Sequence, residues 1–410
     1  MTVTPRAPSS RAGPVRERAR VLAGTVLVAA VAWSAAGGLV SADTKNDLYV
    51  DAWGFLARSL HLWDPQVTWG VMQNQGYGYL FPMGPFFGVA TAVLPAWVAQ
   101  RLWWTLLLVL GFLAVHALLR ALRVGSPTTR LAASVAWTLS PRVLTTLGGL
   151  SSETLPVLLA PAIALPVVLA ADGRMPVRRA AALSGLALLG CGGVNATATV
   201  LATVPTVLFL VTRSGWWRRP LTRWWVVAAA CASAWWLGPL VVLGRYSPPF
   251  LDWIEGSADV VRHLTVVDVL RGTTHWLEHL VTAAGPWWPA GNELVTVPLL
   301  VVATTLVGAT GLAGLGLPGL PERRWLLLTA ATGAVVLLVA HGGPVGSPVA
   351  DGAQALFDGP LAPLRNVHKA DPLVRLPLTV GLAHALAVAA QAVRTDMVKH
   401  SARDVRGVEV

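Results

Sequence analysis

Apolar residues in this chain fall in unbroken blocks. They follow neither the alternation of a half-buried strand nor the one-sided stripe of a soluble helix. Blocks of about 16 to 23 residues with few charges have the length a helix needs to cross a hydrocarbon core of about 30 Å. They predict helices over 21–40, 97–119, 131–147, 155–171, 180–192, 196–212, 224–243, 294–316, 325–341 and 373–393. The stretch 84–95, marked by Pro85 and Pro95, is too short to span and is expected to be interfacial or re-entrant. The pattern reads as an all-α polytopic membrane protein with about ten transmembrane helices.

Composition agrees. Charged residues are 12 % and hydrophobic ones 54 %, against a charged share of about 25 % in soluble domains. The mean hydropathy is +0.60. A soluble globule, a fibre and a disordered chain are excluded. The net charge of +11 would suggest nucleic acid in a soluble protein, but here it reports topology and no nucleic-acid partner is expected. With the N-terminus inside, the segments 1–20, 120–130, 172–179, 213–223, 317–324 and 394–410 are cytoplasmic. They hold 21 of the 31 Lys and Arg and only six of the 20 Asp and Glu. That double asymmetry follows the positive-inside rule.

The predicted domains are a basic cytoplasmic tail over 1–20, a membrane core over 21–393 and a polar cytoplasmic tail over 394–410. The basic flank, Val21–Val40 and the small-residue end Val40-Ser41-Ala42 resemble a signal peptide, but the apolar run exceeds the usual length of about 7–15. An uncleaved first helix is expected. Cys191 and Cys231 both lie in apolar runs, which argues against a disulfide framework or a zinc site.

Three outer segments are long: 41–96, 244–293 and 342–372. Long connections in a compact bundle are usually functional, and these hold most of the carboxylates, histidines and amides. Asp43 and Asp47, four apart, would share a face on a helix, and a boundary carboxylate is also a common helix cap. Gln73, Asn74, Gln75, Tyr77 and Tyr79 combine amides with aromatics, a mixture suited to sugars, although aromatics also belt the membrane interface. The second segment carries Arg245, Asp252 and Glu255, then His275, Glu278 and His279, then Trp287 and Trp288. His275 and His279 have metal-ligand spacing without further ligands, and a solvated helix face explains them as well, so no metal is expected. In the third, Arg365, His368 and Lys369 would suit a phosphate, the alternative being a basic membrane anchor.

Ser151-Ser152-Glu153 and Asn195 mark outer helix ends, and Asn195-Ala196-Thr197 is a formal glycosylation sequon. No phosphate-cradling glycine loop or hydrolase nucleophile elbow is found in the sequence. Carboxylates in the first outer segment and cations in the last fit a lipid-phosphate leaving group and a hydroxyl nucleophile. A transporter would more often carry paired charges within its spans.

Several motifs resemble one family. They are DTKNDL at 43–48, LHLWDP at 60–65, QNQGYGYLFPMGPFF at 73–87 and QRLWW at 100–104, with LSPRVLTTLGGLSSETLP at 139–156, GRYSPPFLDWIE at 244–255, GPWWPAG at 285–291 and RNVHKADP at 365–372. They are similar to the AftD-type α-(1→3)-arabinofuranosyltransferases, over the N-terminal membrane portion of that family. The resemblance implies a C-type glycosyltransferase bundle with long extracytoplasmic loops and an outward-facing active site in the cell membrane. It implies a decaprenyl-phospho-arabinofuranose donor and an arabinan acceptor, in arabinogalactan or lipoarabinomannan. The implied reaction is inverting, with Asp43 as general base and Asp47 and Glu255 as secondary candidates. Lys45, Arg245, Arg365, His368 and Lys369 would hold the donor phosphate. Gln73, Asn74, Gln75, Tyr77, Tyr79, Trp287 and Trp288 would contact sugar or acceptor. No cofactor is required, and nothing in the residues supports a divalent cation. Relatives are longer, so a partner supplying a missing C-terminal portion is one expectation. A non-catalytic lipid-sugar binder and a polyprenyl-sugar transporter are the rival readings.

Overall fold

The computed structural model describes residues 12–407 apart from 44, 67, 68, 74, 249 and 344. Its main helices are α1 (Ala12–Ala32), α2 (Met83–Thr91), α3 (Ala96–Ala121), α4 (Pro127–Thr138), α5 (Pro141–Leu147), α6 (Ser151–Ala171), α7 (Val177–Gly190), α8 (Ala196–Val211), α9 (Pro220–Tyr246), α10 (Pro298–Gly316), α11 (Arg323–Leu338) and α12 (Asp371–Gly407). Each of the predicted apolar segments contains helix. Five helices, α3, α6, α9, α10 and the one ending in α12, are long and apolar enough to cross a membrane.

Four boundaries differ from expectation. The first helix begins before the apolar run because residues 12–20 are rich in Ala, Arg and Glu, good helix formers. It stops at Ala32, well short of Val40, ahead of Gly38 in the left-handed region at φ 79°. The block 131–147 is broken. α4 ends at Thr138, and Pro141, which has no amide hydrogen to donate, opens α5. The last helix runs past 393 to Gly407, so the polar tail continues it.

α6 is the hub. It contacts α3, α5, α7 and α8, and 72 % of its most apolar window is buried, against 22 % for α9 and α10 at the periphery. Its interior prolines, Pro156, Pro161 and Pro166, are tolerated in this packed setting. α10 lies along α12 at close range. A side chain at Gly314 would overlap the carbonyl oxygen of Gly381, and one at Gly381 the carbonyl oxygen of Gly311, so both positions exclude anything larger than glycine.

The three long segments 41–96, 244–293 and 342–372 are built of short helices and turns. The first contains Asp47–Val50, Ala52–Ser59 and a small hairpin pairing Trp63–Asp64 with Val71–Met72. Asp43 precedes the helical turn that begins at Asp47, so the two do not share a helix face. The second contains Ser257–Val261, Val266–Arg271, a tight turn at Trp276–His279 and Pro289–Thr296. The third contains Ala350–Asp358 and turns at Ala362–Leu364 and Val367–Ala370.

Candidate active site

The break at Pro141 places Arg142 in the first turn of α5, fully buried against the first turn of α6. There its Nη2 donates to Glu153, itself buried. Four more groups converge on that carboxylate. His368 Nε2 is 3.2 Å away and Lys369 Nζ 3.8 Å, both from the turn that leads into α12. Asn195, capping α8, donates its side-chain amide at 2.9 Å. His275 Nε2 stands 4.0 Å off. The His275 and His368 rings are 3.9 Å apart, and the Trp288 ring packs on the other side of His275 at 4.7 Å.

Buried polar atoms without partners gather around this carboxylate. They include Nε and Nη1 of Arg142, Nε2 of His275 and Nδ1 of His368. Native interiors leave few such atoms, and a cluster of them marks a place for a ligand or ordered water. Burial, reinforced by His368 and Arg142, holds the His275 imidazole well below its ordinary range, so it is neutral at pH 7. Burial pushes Glu278 well above the carboxylate range, outweighing Thr145 and Arg142 nearby.

Glu153, His275 and His368 each offer one ligand atom within 4.8 Å of the others, a set that has the chemistry to hold a cation. The field does not favour one. Arg142 and Lys369 already set two positive charges against a single carboxylate. An entering anion would be attracted by this arrangement, and a further cation repelled.

The predicted residues divide accordingly. His368, Lys369 and Trp288 come together at the Glu153 cluster. Asp43 is buried at the head of α6, where Ser151 donates its backbone amide at 3.1 Å and its hydroxyl to the carboxylate. Trp103 Nε1 donates to that same hydroxyl at 3.0 Å. Asp47 is exposed and pairs with Arg58 at 3.3 Å. Arg245 is exposed at the end of α9, and Lys45 makes no ion pair with the described residues.

Glu255 Oε1 accepts from Asn366 at 2.8 Å, while Arg365 lies buried against the Glu255 carbonyl and Asp358. Gln73 donates to the Arg58 carbonyl at 2.8 Å, and Gln75 occupies the left-handed region at φ 62°. Tyr77 packs with Trp236 and Leu243, and Tyr79 lies edge-on to Phe55 at 5.5 Å. Trp287 is exposed, and Asn74 lies outside the described residues. His275 and His279 do not act as a pair, because the tight turn between them sends His279 to stack on His263 at 4.9 Å. Arg142, Glu153 and His275 are the site residues that sequence reasoning left without a role. A buried Arg and a Glu eleven residues apart, flanking a Pro-broken helix, was the available signal.

A family model, the N-terminal GT-C domain of alpha-(1→3)-arabinofuranosyltransferase, matches residues 27–410. The chain belongs to this family. Alpha-(1→3)-arabinofuranosyltransferase of Mycolicibacterium smegmatis is 46 % identical over 353 residues, covering 85 % of this chain and 24 % of that protein. The enzyme of Mycobacterium tuberculosis is 45 % identical over 363 residues, covering 87 % and 26 %. A cryo-EM structure of arabinofuranosyltransferase AftD from mycobacteria superposes with a TM-score of 0.73 at 41 % identity, over 90 % of this chain and 24 % of that one. The chain thus spans about a quarter of the length of the relatives it matches. A GT-C membrane fold is in keeping with the five helices long and apolar enough to cross a membrane among the described residues.

Proposed function

We propose that this chain carries the donor site and reaction centre of a membrane arabinofuranosyltransferase. It would move arabinofuranose from decaprenyl-phospho-arabinofuranose to the 3-hydroxyl of a cell-wall arabinan, at the outer face of the membrane and with inversion. The observation that carries this reading is the convergence of Arg142, His368 and Lys369 on one buried carboxylate, with unpartnered donors left over. A phosphodiester needs cations such as Arg142 and Lys369 in its leaving group's path, while burial lowers the His368 pKa to about 4 and keeps its imidazole neutral at pH 7. As the bond from the anomeric carbon to the phosphate oxygen breaks, the electron pair stays on the phosphate, and Lys369 and Arg142 stabilise the charge that develops. The acceptor oxygen bonds to the anomeric carbon from the opposite face and gives its proton to a carboxylate.

Of the three carboxylates named from the sequence, Glu255 fits that last role best. One oxygen accepts from Asn366, the other has no polar partner among the described residues, and the side chain is only partly buried. Asp43 accepts hydrogen bonds from the Ser151 amide at Oδ1 and from the Ser151 hydroxyl at Oδ2, so both of its oxygens are already engaged. Asp47 is exposed and ion-paired. In this reading Asp43 anchors the first outer segment to α6.

The test is transfer of labelled arabinose from decaprenyl-phospho-arabinofuranose to a short arabinan by the purified chain. Wild type should transfer. Glu255→Gln should bind donor without transferring, and Lys369→Ala should lose donor affinity. Full transfer by Glu255→Gln would sink Glu255 as base, and donor affinity untouched in Lys369→Ala would sink the phosphate site. A second reading has one observation in its favour, the quarter-length match to the relatives. In it the chain binds donor and transfers only with further protein supplied.

A further inference from the structure

Arg365 and Asn366 sit between the second and third outer segments, and their contacts give them a different task from the one their charge suggests. The Arg365 Nη1 donates to the carbonyl of Glu255 at 2.7 Å. Its Nε faces Asp358 Oδ1 at 3.2 Å and the Phe357 carbonyl at 3.4 Å. Asp358 in turn accepts from the backbone amide of Ser257 at 2.8 Å and from its hydroxyl at 2.7 Å. Asn366 Nδ2 holds the Glu255 carboxylate at 2.8 Å. Glu255 is therefore fixed at its carbonyl, at its side chain and, through Ser257, two residues further on.

We propose that Arg365 and Asn366 are positioning residues that fix Glu255 for proton transfer, with Asp358 as the pivot between the two outer segments. This rests on the reading of Glu255 as the base. A guanidinium presents its donors in a rigid fork and can span a carbonyl and a carboxylate at once, which an ammonium cannot. The Arg365 side chain is 5 % exposed, and its fork is turned to groups of the second and third segments. Asn366 supplies a donor to Oε1, and Oε2, without a polar partner among the described residues, is left to an acceptor hydroxyl. The same turn continues to His368 and Lys369. The peptide that aims the base thus also carries Lys369, a donor-site cation, and the neutral imidazole of His368, so base and leaving-group site keep their relative geometry. Displacing a reacting group by about 1 Å costs on the order of 10²-fold in rate.

The test uses the purified full chain, with decaprenyl phosphate as binding probe, hydrogen exchange as structural probe and arabinose transfer as activity. Arg365→Lys should lower kcat about tenfold or more, leave decaprenyl phosphate affinity unchanged and speed exchange over 255–261. Asn366→Asp sets a carboxylate against Glu255 and should move the acid limb of the kcat profile to higher pH, since a like charge favours the protonated base. Affinity for decaprenyl phosphate that falls as far as kcat in Arg365→Lys would make Arg365 a phosphate ligand and overturn the proposal. So would an unmoved pH profile in Asn366→Asp. An inactive Glu255→Gln beside fully active Arg365→Lys and Asn366→Asp would defeat the positioning role alone. A fully active Glu255→Gln, or a wild-type chain that binds the probe and never transfers, would defeat the reading of Glu255 and this proposal together.

Discussion

Arg142 and Glu153 meet across the junction of α5 and α6 with both side chains out of contact with solvent, Glu153 carrying His368, Lys369 and Asn195 on its remaining surface. Taking either partner away leaves a buried charge uncompensated. Glu153→Gln and Arg142→Met should each destabilise the chain by about 3–5 kcal/mol. Thermal unfolding in detergent checks this, and the double variant should recover part of the loss.

Asp43 offers a sharper discrimination. If it anchors α6, Asp43→Ala strips acceptors from the amide and hydroxyl of Ser151 and should cost about 1–2 kcal/mol, as loss of a helix cap does. Transfer per folded molecule should then fall far less than in Glu255→Gln. Equal loss of kcat in Asp43→Asn, with unfolding unchanged, would return the base to Asp43.

Glu278 makes stability fall as pH rises above the ordinary carboxylate range. Its folded carboxyl is raised by burial, so its contribution is complete below the ordinary range near 4.3 and is lost as pH rises through the folded value. As pH rises above about 4.3, wild type should lose more stability than Glu278→Gln, as read from unfolding midpoints across pH. His275 has the opposite sign. Its folded value is depressed, so its contribution is present above about 6.5 and is lost as pH falls. Replacing it with Asn should flatten the acid side.

At the close approach of α10 and α12, Gly314→Val should destabilise by about 1–3 kcal/mol, because helix backbones already in contact must part. Gly316, with open space around it, is the control, and Gly316→Val should be neutral by the same thermal measurement.

The helical segments were legible because hydrophobic blocks of membrane length leave few alternatives, and the cation cluster at 365–369 was legible because charge stands out against apolar sequence. What the chain order hid is pairing. Arg365 reads like His368 and Lys369 in sequence, yet its guanidinium is turned to Asp358 and the Glu255 carbonyl, while its neighbours face Glu153. Asp43 and Asp47 look equivalent at a spacing of four, but the helix begins only at Asp47. Arg142 escaped notice inside a run expected to be one continuous helix. Once Pro141 splits that run, an arginine within the bundle becomes a residue at a helix start, aimed at Glu153.

Asn195 closes the α8 start with Oδ1, accepting from Ala198 at 3.3 Å, and grips Glu153 with Nδ2. That Nδ2 is the atom an oligosaccharyltransferase would modify in Asn195-Ala196-Thr197. A glycan there and the Glu153 contact exclude one another. In a eukaryotic secretory host, a glycosylated product would therefore mark chains tagged before this site closed, and gel mobility alone would sort them from the correctly assembled fraction.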